Sequence, residues 1–166
     1  DALIGIYYFA QKPSGRTIIF NDEKEKVKNA LKSSLNVGSE KIQYNSLLVL
    51  NCLYTILEGD HLLNLHREIS LQKVSAFLTA DNDDTQKAAL NVFTTIVKNH
   101  PQLIQSLIFF GFYESYRGGL LWIFENYSFD LKRSASYIVM ETVKCGNENI
   151  IDYLIEKELI IYATET

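Results

Sequence analysis

His61 and His66 stand five residues apart beside Glu58 and Asp60, side-chain types that hold zinc or a similar divalent ion when they converge. A spacing of five turns two helical imidazoles onto different faces. A helix break is also expected between them, so both read as surface histidines. The segment ADNDDTQ (80–86) has the carboxylates of a calcium loop, but no glycine at its sixth position and no closing glutamate. It reads instead as an acidic turn that caps a helix. Cys52 and Cys145 match neither a metal spacing nor a disulfide framework. Gly118-Gly119 lacks the preceding strand and the following Gly-Lys-Ser/Thr of a phosphate loop. No Ser/His/Asp or Cys/His set stands out as a nucleophilic centre. The residues therefore imply no metal, no cofactor and no catalytic group, and the expectation is a protein that is not an enzyme.

Bulk properties bound the alternatives. A chain of 166 residues suits one domain, residues 1–166, able to bury roughly 70% of its unfolded surface. Sixteen basic against twenty acidic residues give a net charge of −4, which attracts neither nucleic acid nor an anionic membrane. The longest apolar runs, 107–113 and 120–124, fall far short of the ~20 residues of a membrane span. No signal peptide is visible and the cysteines are few, so a cytoplasmic or nucleo-cytoplasmic setting is expected.

The elements that would position any site come from internal repetition. Ala88, Ala89, Val92, Phe93 and Val97 align with Ser134, Ala135, Ile138, Val139 and Val143, a step of 46. A step of 40 in the other direction reaches Leu48, Val49, Cys52, Leu53 and Leu57, and a weaker copy uses Gly5, Ile6, Phe9 and Ala10. Apolar residues at i, i+1, i+4, i+5 and i+8 make one broad stripe on a helix, whereas a strand would alternate with period two. Long helices are predicted to end at Gly59, at Asn99 before Pro101 and at Gly146, residues that tolerate a left-handed closing conformation. Asp83 with Gln86 reads as a capping box, and Ser39 and Asp130 as further caps. Short apolar helices follow over 62–66, 103–109 and 150–155, with further helices over 71–78 and 113–127. The charged run 21–29 reads as a solvated helix face.

This three-helix unit resembles the armadillo repeat, and more distantly the HEAT repeat. The residues carrying the resemblance are AALNVFTTIV followed by PQLIQSLIFFGF (88–112), with Gly111-Phe112 at the family's glycine–aliphatic step. SASYIV followed by NENIIDYLIEKELI is the second match, with Glu158 in place of that glycine. The resemblance implies an all-α, right-handed solenoid of about three and a half units: 1–35, 36–80, 81–127 and 128–166. It also implies a binding scaffold whose long third helices line a concave groove. The Trp-x-x-x-Asn ladder of importin-like members is missing: Trp122 and Asn126 lie in a medium helix, and the ladder positions hold Leu50 and Tyr54, Leu90 and Thr94, and Ser136 and Met140. Trp122 therefore reads as a core or inter-repeat aromatic. The stretch FAQKPSGRTIIF (9–20) resembles armadillo segments of myosin-folding chaperones, which adds a chaperone or assembly factor to the scaffold reading.

Positions off the apolar stripe give the expected groove: Tyr7, Tyr8, Asn51, Tyr54, Asn91, Thr94, Tyr137, Met140 and Glu141. Tyrosine and asparagine offer flat amphipathic surface and amide hydrogen bonds to a bound protein or peptide segment. The alternative, a HEAT-like nucleic-acid-binding domain, would need a basic groove, and here Glu58 and Glu141 balance Lys98 and Lys144. A protein-interaction scaffold is thus favoured. The chain opens on ALIGIYYFA and closes on YLIEKELIIYA, neither of which resembles a polar solenoid cap. It reads as part of a longer solenoid with partly exposed apolar ends, open to self-association.

Overall fold

The repeated apolar stripes become three 17-residue helices in the computed structural model, which describes residues 2–12, 14–15, 24–115 and 117–165. In chain order the helices are α1 (Ala2–Ala10), α2 (Lys24–Ser34), α3 (Glu40–Ile56), α4 (Gly59–Glu68) and α5 (Leu71–Ala76), which runs into a 3-10 turn (Phe77–Thr79). Next come α6 (Asp83–Asn99), a 3-10 turn (Pro101–Leu103), α7 (Ile104–Phe109) and α8 (Leu120–Asn126). The last three are α9 (Phe129–Cys145), α10 (Glu148–Glu156) and α11 (Leu159–Thr164). Every regular element among the described residues is helical, as the periodicity requires, and none of these helices is long and apolar enough to cross a membrane.

The long helices pack in chain order: α1 against α3, α3 against α6, α6 against α9, and α9 in turn against α11. Their stripes meet in one buried cluster that holds Val49 and Leu53 of α3, Val92, Phe93 and Val97 of α6, and Ile138 and Val139 of α9. Cys52, at the place of Val92 and Ile138, is half-buried against that cluster. Phe93 stacks on Phe112 with ring centroids 3.9 Å apart. Tyr113 is fully buried, and its hydroxyl reaches Thr142 Oγ1 at 2.7 Å. The Thr142 hydroxyl already donates to the Ile138 carbonyl, so Tyr113 is the donor.

Several local expectations are corrected. The cap of α6 is Asn82 rather than Asp83: its Oδ1 accepts from the Thr85 amide at 3.0 Å, while Gln86 turns back to the Ala80 carbonyl. Asp83 instead joins Asp84 in the first turn, where a carboxylate meets the positive end of the helix dipole. Ser39 occupies the cap position of α3 without a side-chain hydrogen bond, and Asp130 lies inside α9 behind its cap residue Ser128. Gly59 opens α4 instead of closing α3, so His61 and His66 share one helix. The long helices close on extended or irregular residues, Leu57, His100 and Gly146, not on left-handed ones. Gly146 is needed for space: a Cβ there would lie 2.7 Å from the Thr142 carbonyl oxygen and 2.8 Å from Ile150. Positive φ follows the short helices at Gly111 (φ +83°) and Glu158 (φ +58°), and is found also at Gly118 (φ +78°) and at Gly59 (φ +53°), the first residue of α4.

Among the described residues of the helix expected over 113–127, only α8 is helical; Gly111 and Gly118 have positive φ, and the Leu120 and Leu121 amides donate to the Phe112 and Tyr113 carbonyls. The charged run is likewise more than a solvated face. Residues 21–23 lie outside the described residues, but Val27 and Leu31 of α2 are buried, and Lys28 and Lys32 grip Glu68 at 2.7 and 2.9 Å. Those two hydrogen bonds hold the Glu68 carboxyl below its ordinary range. Half of the stretch 9–20, residues 13 and 16–20, lies outside the described residues.

Candidate partner-binding face

On each long helix the apolar stripe faces inward, and the positions between its edges come out on the opposite side. On α3 these are Asn51 and Thr55, on α6 Asn91, Thr94, Thr95 and Lys98, and on α9 Tyr137, Met140, Glu141 and Lys144. These sets occupy equivalent positions on helices packed in succession, α3 on α6 and α6 on α9. Thr95 Oγ1 donates to Asn51 Oδ1 at 2.6 Å, a bond from α6 to α3 between two of the sets. Thr55 and Thr94 turn their hydroxyls onto their own helices, to the Asn51 and Leu90 carbonyls, each at 2.9 Å. Met140 is 52% exposed and Tyr137 39%. Glu141 and Lys144 pair at 2.6 Å, which raises the lysine pKa.

Of the residues expected in the groove, Asn91, Tyr137 and Met140 are exposed and Asn51, Thr94 and Glu141 half-buried. On α1, Tyr8 is exposed and Tyr7 half-buried, their rings edge to face at 5.4 Å.

Tyr54 is the correction: it is fully buried, and nothing binding the outer face can touch it. Position 54 lies at the edge of the stripe, where Thr94 and Met140 stand in the next two units. A tyrosine there is long enough to pass between α3 and the following short helices. Its hydroxyl meets His66 Nδ1 at 3.1 Å, and His66 Nε2 meets Ser106 Oγ at 2.7 Å. His66 is thus half-buried in a polar chain rather than a surface histidine. His100, also buried, bonds the Tyr54 carbonyl through Nε2.

Burial raises the Tyr54 phenol above its ordinary value and, together with the neighbouring His100, lowers the His66 imidazole. Sequence reading missed this cluster, although it left a trace: Ser106 follows His66 by 40 residues, the step that separates the second unit from the third.

A serine beside a histidine invites a nucleophile reading, but the proton order opposes it. The Ser106 hydroxyl donates to the Leu103 carbonyl at 2.7 Å. It therefore accepts from His66 Nε2–H, and Nδ1 in turn accepts from the Tyr54 hydroxyl. An imidazole arranged this way offers no lone pair to the serine proton. Among the described residues, no three His, Cys, Asp or Glu side chains gather as a metal ion would require. Trp122 is half-buried in α8, where Asn126 Nδ2 donates to its carbonyl at 3.0 Å. No family model matches the chain, and neither a curated protein nor a solved structure is significantly similar to it.

Proposed function

We propose that the chain is a non-catalytic protein-interaction scaffold, an armadillo-like right-handed solenoid that holds an extended protein or peptide segment across its long helices. The observation that supports this reading is the packing of α3, α6 and α9 in succession, with a Thr95–Asn51 side-chain bond between equivalent off-stripe positions of α6 and α3. Amides at Asn51 and Asn91 offer donors and acceptors to a partner backbone, and Tyr137 and Met140 offer adaptable apolar surface. Charge on the face is sparse, with Lys98 alone beside the paired Glu141 and Lys144, which favours a protein segment over a phosphate backbone. A chaperone or assembly factor is one setting in which such a scaffold works.

The test is site-specific photocrosslinking in cell extract. A photoreactive residue at Tyr137 or Met140 should capture a discrete protein partner, and Asn91→Ala should weaken that capture. The same probe at Asp152, exposed on α10, should not capture it. Equal capture from both positions, or none from the long-helix face, refutes the reading.

A further inference from the structure

We propose that Tyr54, His66 and Ser106 form an acid-sensitive joint, in which neutral His66 pins α3, α4 and α7 together and protonated His66 releases them. The chain of donors has a fixed sense. The Ser106 hydroxyl donates to the Leu103 carbonyl at 2.7 Å, His66 Nε2–H donates to Ser106 Oγ at 2.7 Å, and the Tyr54 hydroxyl donates to His66 Nδ1 at 3.1 Å. Each hydrogen has one acceptor, and the order closes only if Nδ1 carries a lone pair. A proton on Nδ1 sets two donors face to face. Tyr54 would then have to turn its hydroxyl away, and its side chain is fully buried, with His66 as the hydroxyl's partner among the described residues. A buried donor without an acceptor is costly, so the joint opens rather than tolerates it.

The surroundings give an imidazolium no relief. Facing His66 are Tyr54 from α3, His100 from the turn after α6 and Ser106 from α7, while Ser70, Gln72 and Phe110 line the adjoining cavity of about 260 Å³. None of these is a carboxylate, and His100 would add repulsion. Glu68, two residues along α4, is held by Lys28 and Lys32. Burial, and after it His100, lowers the His66 pKa from 6.5.

The sign follows from that direction. The unfolded chain binds the proton before the folded one does, so the stabilisation is complete above about pH 6.5 and is lost as pH falls toward the folded-state value. The cavity beside His66 lets solvent reach the ring, so a proton can arrive without prior unfolding.

Urea unfolding from pH 7.5 to 5 compares the wild-type protein with His66→Gln, whose side-chain amide can still donate to Ser106. The wild type should take up more protons on unfolding than the variant, at most one, so its stability should fall more steeply than the variant's as pH drops from about 6.5 toward the folded-state value. Equal pH slopes overturn the joint. If the variant does not fold, an NMR titration of the wild-type histidines decides. A His66 resonance moving below the midpoint of free histidine supports the joint, and one moving at or above it overturns it.

Discussion

The hydroxyl of Tyr54 sits at the head of a hydrogen-bond chain that crosses from a long helix to two short ones, and its ring fills the space between them. Tyr54→Ala removes both, so a loss of about 3–5 kcal/mol is expected in urea unfolding. Asn91 occupies the exposed side of the neighbouring helix, and Asn91→Ala should leave stability within about 0.5 kcal/mol while weakening partner capture. The pair separates packing from binding. A Tyr54→Ala protein as stable as the wild type would show that the ring is not held as described.

Among the elements, the turns after the short helices α7 and α10 carry the clearest backbone demand. Gly111 has φ +83°, and nothing lies within 4 Å of a Cβ built there, so Gly111→Ala meets only the backbone penalty, about 1–2 kcal/mol. Glu158 adopts φ +58° at the matching point of the next unit and bears that strain already. Glu158→Gly should therefore stabilise the protein by up to about 1 kcal/mol, less the entropy a glycine loses on folding. Thermal melts of the two variants should move in opposite directions. At the start of α6, Asn82→Ala strands the Thr85 amide and should cost about 1 kcal/mol, whereas Ser39→Ala at α3 removes no side-chain cap bond.

For the whole molecule, exposed apolar side chains are spread along the packing order from α1 to α11, and among the described residues Phe109 at the end of α7 is the most open, at 92%. Tyr8 (61%) and Phe9 (40%) stand on α1, and Phe129 (63%) and Ile161 (54%) on α9 and α11. Exposed apolar side chains such as Phe129 and Ile161 favour association with a second copy. Sedimentation velocity should show concentration-dependent growth of the sedimenting species, and Phe129→Lys with Ile161→Lys should suppress it. A strict monomer across the accessible concentration range would mean that these exposed side chains do not bind a second copy.

By itself the sequence determined that the described residues are helical, about where α3, α6 and α9 run and most of the residues they bury, while of the first copy's stripe only Ala10 is buried and Phe9 is exposed. Those properties follow from local periodicity: Val49, Val92 and Ile138 recur at i, i+4 spacing with their neighbours and are buried in turn. The Gly111–Glu158 correspondence was legible for the same reason, because a repeated chain direction demands a repeated turn. The outer face was legible in part, since residues opposite a stripe must point away from it. Tertiary structure alone decided the fate of the stripe's edges. At the same position Thr94 is half-buried, Met140 open and Tyr54 enclosed, because an edge residue is covered only if a neighbouring helix and its side chains come to meet it. The same holds for His66: local spacing placed it on a surface, and a serine 40 residues away made it part of the interior.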